Sequence, residues 1–496
     1  MTDLIVNTES GKISGIKNGK IIMWKGIPYA APPVNELRFK RAKAHEGWND
    51  VLDCTEFRAK CWQFGGGKFQ HALDSATEAS EDCLFLNIWS NEENEKKPVF
   101  VWIHGGGQYC GESSSPDYDL SSFAQNGIVS VSFNYRLGVL GFYDFSEYNS
   151  EFESNCAISD MIMALKWIHN NIEKFGGDAD NVTICGESAG GTCAMALLAS
   201  EEAREYYHRV IIMSGVLNNL CGKQIKDYNN EVFFSQTGIS KENILDLKSA
   251  DYETLLKGCK CRFDGTLREK PGMLTSGPII DDIIVENTLE AIKAGKLADK
   301  EIMIGTCRDE GGLFEYLNLG FPSWESAMEV LKRNGYDEDC VDRFGRMYQP
   351  GQKGSEEERD AIIRFNTDLK FWPGSVKLAL EASKFGKVYM YRFDYVTPVS
   401  RLLRIGATHT MDIAAAFNVK GTKLYKFALN DNDVKNNLHS AFVRFICTGN
   451  PNYGKEKEWF LYEEKNKATM IVDNKMSLVS APRDEFFELW KDIEID

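Results

Sequence analysis

No run of apolar residues approaches the ~20 needed to cross a membrane. The opening MTDLIVNTESGK offers neither the basic nor the apolar stretch of a secretory leader. Positive charge is also scarce: Lys and Arg total 57 against 73 Asp and Glu, a net charge of -16. So acidic a chain repels nucleic acid phosphates and anionic membranes, which removes both from the expected partners. There is no internal repeat, heptad run or low-complexity segment. No H-E-x-x-H, Walker or dinucleotide glycine motif occurs, and Cys259-Lys260-Cys261 alone makes a poor metal site. The expectation is therefore chemistry that needs no metal or organic cofactor. The 13 cysteines are odd in number and scattered, several inside apolar segments such as VTIC and RFIC. That usage fits reduced, partly buried thiols in a cytoplasmic protein better than a disulfide framework. The sequon at Asn181 falls within a predicted strand, a poor place for glycosylation.

What is present is core-forming material. At 43% hydrophobic and 12% aromatic, the 496 residues suit one large α/β unit spanning 1–496 rather than a disordered chain. Short apolar strands alternate with helical patterns. KPVFVWIHGGG, GIVSVSFNYR, HRVIIMSG, KEIMIGTC and KVYMYRFDY are predicted strands, and DMIMALKWIHNNIEKF is an amphipathic helix. Near-continuous apolar strands separated by helices predict a mostly parallel central sheet covered on both faces. The charged stretches around 223–265 and 325–385 are predicted as helical cap insertions with solvated faces. The opening GKISGIKNGKIIMWKGIPYA is predicted as a small antiparallel entry sheet.

One corner stands out. In NVTICGESAGGTCAMALLAS a strand runs to Cys185, a helix starts at Ala189, and Gly186-Glu187-Ser188-Ala189-Gly190 lies between. A G-x-S-x-G string alone is weak, arising by chance in roughly one of six chains of this length. Its strand-to-helix context is what a nucleophile elbow requires, because small neighbours let the serine adopt a strained backbone.

A serine nucleophile needs a base, usually histidine, and a carboxylate to hold the imidazole. The chain has only seven histidines. The nucleophile–acid–base order of α/β-hydrolases leaves His208, His409 and His439. His208 sits at the wrong end of a strand and His439 inside a helical pattern, whereas His409 follows KVYMYRFDY on a loop. Asp309 and Glu310, just after a strand, both qualify as the acid, with helix capping as the plain alternative. His104-Gly105-Gly106-Gly107 ends a strand with a glycine loop suited, together with the Ala189 N–H, to an oxyanion.

These segments resemble the type-B carboxylesterase family, which includes carboxylesterases, cholinesterases and bacterial p-nitrobenzyl esterases. The likeness runs from WKGIPYAAPPVNELRF through SEDCLFLNIW, PVFVWIHGGG, NYRLGVLGF, ALKWIHNNIEKFGGDADNVTICGESAGG, IIMSG and CRDEGGLF to GATHTMDI and FICTGNPN. It implies an α/β-hydrolase fold with Ser188 as nucleophile, Glu310 as acid and His409 as base. Gly106, Gly107 and Ala189 match the oxyanion donors, and Ser214 matches a supporting serine. Cys61 and Cys83 match a pair that relatives join by a disulfide, a bond not expected in a reducing compartment. Two departures concern the pocket and its support: Gln108, Tyr109 and Cys110 after the glycines, and NCAISDM at 155–161. Trp62, Phe64 and Phe69 do not reproduce the aromatic site for a quaternary ammonium, which disfavours choline esters.

The expected activity is hydrolysis of small to medium carboxylic esters through an acyl-enzyme, by a monomer or weak homo-oligomer. The alternatives are a catalytically inactive esterase-like binding protein, or a hydrolase specialised for amide, thioester or carbamate bonds.

Overall fold

The structure, a computed structural model, describes residues 4–65, 77–93, 95–217, 222–261, 276–419, 432–453 and 458–494. Among these residues the strands of the large sheet are, in chain order, Ile16–Asn18 (β1), Ile21–Pro28 (β2), Phe85–Asn91 (β3), Lys97–Ile103 (β4), Val129–Phe133 (β5), Gly177–Glu187 (β6), Arg209–Met213 (β7), Glu301–Cys307 (β8), Val388–Phe393 (β9), Ala468–Val472 (β10) and Ser477–Ser480 (β11). They lie side by side as β11-β10-β9-β8-β7-β6-β4-β5-β3-β2-β1. From β5 across to β10 every pairing is parallel, and antiparallel strands finish both edges.

Alternation along the strands explains why helices cover both faces. In β4, Val99, Val101 and Ile103 enter one core while Phe100 and Trp102 enter the other. The first core receives Cys156–Asn171 (α1), Ala189–Ala199 (α2) and, from further along the chain, Trp372–Ser383. The second receives Met411–Ala416 and Asn432–Thr448. Every residue of α2 is buried, so its Ala, Gly and Cys content is a space requirement: larger side chains would push the helix off the sheet.

The helices that complete the site are Gly311–Tyr316 (α3), Glu356–Lys370 (α4), Trp372–Ser383 (α5), Met411–Ala416 (α6) and Asn432–Thr448 (α7). Residues 325–385 are helical as expected. They hold a third core, with Met328, Leu331, Phe344, Tyr348 and Phe365 packed together with Trp490 from near the chain's end. The 223–265 stretch is also helical through Cys261, and residues 262–265 lie outside the described residues. The opening segment differs from expectation. Only Lys12–Ser14 joins a small separate sheet, pairing with Ile5–Asn7 and Leu52–Asp53. Ile16–Asn18 and Ile21–Pro28 instead extend the large sheet, because Ile21, Trp24 and Ile27 find buried places beside β3.

Beneath the site, Arg136 and Asp160 form a buried bidentate ion pair, with Nη2–Oδ1 at 2.6 Å and Nε–Oδ2 at 2.9 Å. The divergent segment NCAISDM therefore still supplies the carboxylate that holds the chain after β5. Removing one partner alone would strand a charge, at a cost of about 3–5 kcal/mol.

Candidate active site

Ser188 closes β6 and opens α2 with φ 56° and ψ -122°, a conformation costing a non-glycine residue on the order of 1–3 kcal/mol. The flanking glycines are needed for contact reasons. A β-carbon on Gly186 would lie 2.2 Å from the Gly190 carbonyl oxygen, and one on Gly190 would lie 2.1 Å from that of Ile103. The corner is pinned from both sides, since Ser188 N–H donates to Met213 O and Thr192 N–H donates to Ser188 O, each at 2.9 Å.

The corner presents Ser188 to His409. Ser188 O–H donates to His409 Nε2 at 2.8 Å, and His409 Nδ1–H donates to Glu310 Oε2 at 2.5 Å. Glu310 is fully buried and is held at its other oxygen by Cys307 N–H (2.6 Å) and Ser214 O–H (2.5 Å). It occupies the position before α3 but makes no side-chain cap bond, so helix capping does not account for it. Asp309 points elsewhere: its carboxylate pairs with Arg308 and accepts the Ala407 N–H at 2.9 Å, anchoring the loop that carries His409. The two adjacent acids thus divide between orienting the ring and fixing its loop.

Two further carboxyl groups crowd the imidazole, and sequence spacing did not single them out. Glu187 Oε1 lies 3.3 Å from His409 Nε2 and accepts no hydrogen bond. Asp412, one turn after His409, accepts from Tyr391 O–H at 2.7 Å and is fully buried. Burial pushes Glu187 up to about 8 and Asp412 up to about 6. For His409, burial disfavours the imidazolium, but Glu187 and Glu310 outweigh it and raise the pKa to about 9. Their position beside Ser188 and His409 is the only sequence signal for either acid. Phe314 and Phe371 complete the surroundings, with ring centroids 5.4 Å and 4.9 Å from the imidazole.

The glycine loop after β4 abuts the serine: a β-carbon on Gly105 would lie 3.1 Å from Ser188 Cβ. Gly106 and Gly107 adopt φ 115° and 65°. A β-carbon on Gly106 would fall 2.0 Å from the Cys110 carbonyl oxygen, so this turn excludes any side chain. Ala189 begins α2, where the first N–H groups have no intrahelical acceptor. Loop and helix end therefore meet at Ser188.

His439, His208 and His104 have structural partners. His439 bonds the Ala416 carbonyl at 2.8 Å, and His208 Nδ1 accepts the Val182 N–H at 3.2 Å. His104 is stacked on Tyr135, and burial lowers its pKa to about 4. Cys61 and Cys83 are buried free thiols in hydrogen-bond contact. Trp62 and Phe64 pack on Tyr252, and Phe69 lies outside the described residues. The Asn181 side chain accepts a hydrogen bond from Arg209.

Comparison with known proteins gives the family and the fold. Residues 2–490 match the profile of the carboxylesterase family. The chain is 34% identical to the para-nitrobenzyl esterase of Bacillus subtilis over 98% of both sequences. It is 28% identical to the phenmedipham hydrolase of Pseudarthrobacter oxydans over 95% of both. A solved para-nitrobenzyl esterase superposes with a TM-score of 0.88 at 32% identity, covering 98% of this chain and 99% of the other. A Geobacillus stearothermophilus carboxylesterase gives 0.84 at 31%, covering 98% and 100%. The α/β-hydrolase architecture, the serine corner and these relatives lead to one assignment: the chain belongs to the carboxylesterase family and is a carboxylic ester hydrolase.

Proposed function

We propose that Ser188, His409 and Glu310 perform the hydrolysis, within a single α/β-hydrolase unit. The observation that carries this is the continuous hydrogen-bonded chain from the Ser188 hydroxyl through His409 to Glu310. His409 takes the Ser188 proton as Oγ attacks the ester carbonyl. The Gly106, Gly107 and Ala189 N–H groups receive the oxyanion at the helix end. His409 then protonates the departing alcohol. A water deprotonated by His409 next attacks the acyl-enzyme, which releases the acid and restores Ser188. Glu310 steadies the imidazolium in both halves.

The aromatic walls at Phe314 and Phe371 support small to medium esters with an apolar part beside the imidazole. We place the enzyme in the cytoplasm, on the strength of its many buried free thiols, and take it to act as a monomer or weak homo-oligomer. No helix among the described residues is long and apolar enough to cross a membrane.

The test is hydrolysis of p-nitrophenyl esters from acetate to decanoate, with Ser188→Ala beside the parent. A rate that depends on Ser188 and peaks at one chain length supports the assignment. Equal rates in parent and Ser188→Ala would sink it.

A further inference from the structure

Lys370 ends α4 on the side that faces the site. Phe371 follows it, and Thr367, one turn earlier, accepts the Gly311 N–H beside Glu310 at 3.0 Å. The Lys370 ammonium lies 4.5 Å from the centroid of Phe314, whose other contacts are Phe371 and the imidazole of His409. This cation is thus one aromatic ring away from the base. Lys370 is half-buried, and it has no carboxylate or carbonyl partner among the described residues. Burial alone lowers its pKa, to about 8, and no acidic neighbour counters that.

Most cations here do have partners, such as Arg136 with Asp160, Lys60 with Glu112 and Arg483 with Asp368. A partly buried ammonium whose one partner is an aromatic ring keeps part of its desolvation cost, which an anion bound beside it would offset. The surroundings sharpen the point. The chain carries a net charge of -16, and Glu187, Glu310 and Asp412 line the base itself. A neutral ester meets no objection from that field, whereas an anionic one is repelled unless a cation is supplied locally.

We infer that Lys370 is a specificity residue that recognises a carboxylate carried by the ester substrate. Phe314 covers the apolar portion between that carboxylate and the scissile bond. The inference deepens the esterase assignment and rests on it. The carboxylate could belong to the acid half, as in a half-ester of a dicarboxylic acid, or to the alcohol half, as in the ester of a hydroxy acid.

The experiment pairs each anionic ester with a neutral analogue of similar shape. Monoethyl adipate against ethyl hexanoate probes the acid side, and para-acetoxybenzoate against para-tolyl acetate probes the alcohol side. For parent, Lys370→Met, Lys370→Glu and Lys370→Arg, the anionic-to-neutral ratio of kcat/KM is measured. In one of the two pairs Lys370→Met should lower that ratio roughly tenfold to a hundredfold, the usual loss when a charged hydrogen bond is removed. Lys370→Glu should lower it further and Lys370→Arg should largely restore it, and the responding pair identifies the half that bears the charge. A ratio equal in parent and Lys370→Met for both pairs overturns the proposal and leaves Lys370 as packing on Phe314. Failure of the esterase assignment reads differently, as neutral-ester turnover that survives Ser188→Ala.

Discussion

The serine side and the histidine side of the site are built by different means. The serine side is backbone: β4, β6 and the start of α2 approach so closely that Gly106, Gly186 and Gly190 have no space for a β-carbon. The histidine side is side chains: Glu187, Glu310 with Phe314, and Phe371 reach His409 from three other segments, and Asp412 lies one turn after it. A backbone contact tolerates one residue type, whereas packing tolerates many that fill similar volumes. The serine side therefore serves the reaction common to all esters, and the histidine side is where choice among esters can be written.

If that division holds, the largest effects come from the groups that handle the reacting proton. Ser188→Ala should cut kcat by about 10⁵ or more with the fold retained, as nucleophile removal does in serine hydrolases generally. Thermal unfolding should show little loss, because Ala removes only the hydroxyl and its one hydrogen bond to His409. Glu310→Gln keeps the shape but not the negative charge that holds the Nδ1 proton. It should lower kcat by about 10³–10⁴, with KM for a short ester changed far less. A drop of only a few-fold would mean that Glu187 or Asp412 substitutes for it.

Gly106→Ala tests the backbone half. The added methyl group meets the Cys110 carbonyl at 2.0 Å, at a φ of 115° that L residues rarely adopt, so the loop must shift. Displacing one oxyanion donor costs about 10²–10³ in kcat. The same substitution should leave the ranking of esters by chain length intact. A changed ranking would show that the glycine loop also shapes the pocket, and the division between chemistry and choice would fail.

The same division decides what could be read in the sequence. Strands such as VFVWI and VIIM are buried on both faces, so unbroken apolar runs identified them and the parallel sheet. The serine corner was legible because its glycines are imposed by contact. His409 was reachable by elimination among few histidines; spacing left Asp309 and Glu310 inseparable, the family resemblance chose Glu310, and the loop contacts of Asp309 show what the other acid does instead. The opening strands were misplaced because alternation shows that a segment is a strand without showing which sheet receives it. Lys370 was hidden in a charged helical stretch. Only the position of α4 against Phe314 distinguishes it from the solvated lysines around it.

The smallest and most discriminating effect concerns Glu187, which belongs to the serine corner by sequence and to the histidine side by contact. A base works only when unprotonated, so kcat/KM falls as pH drops through the pKa of His409. The surrounding carboxylates raise that pKa, which places the acidic limb above the ordinary 6.5 of histidine and toward the value of about 9. In Glu187→Gln one of those carboxylates is gone, the imidazolium is less favoured, and the limb should move to lower pH by roughly one unit. The rate on the plateau should change only a few-fold. A limb that stays in place while Glu310→Gln moves it would assign the whole shift to Glu310. Glu187, whose proton burial favours, would then contribute size rather than charge, and the histidine side would be tuned by a single acid.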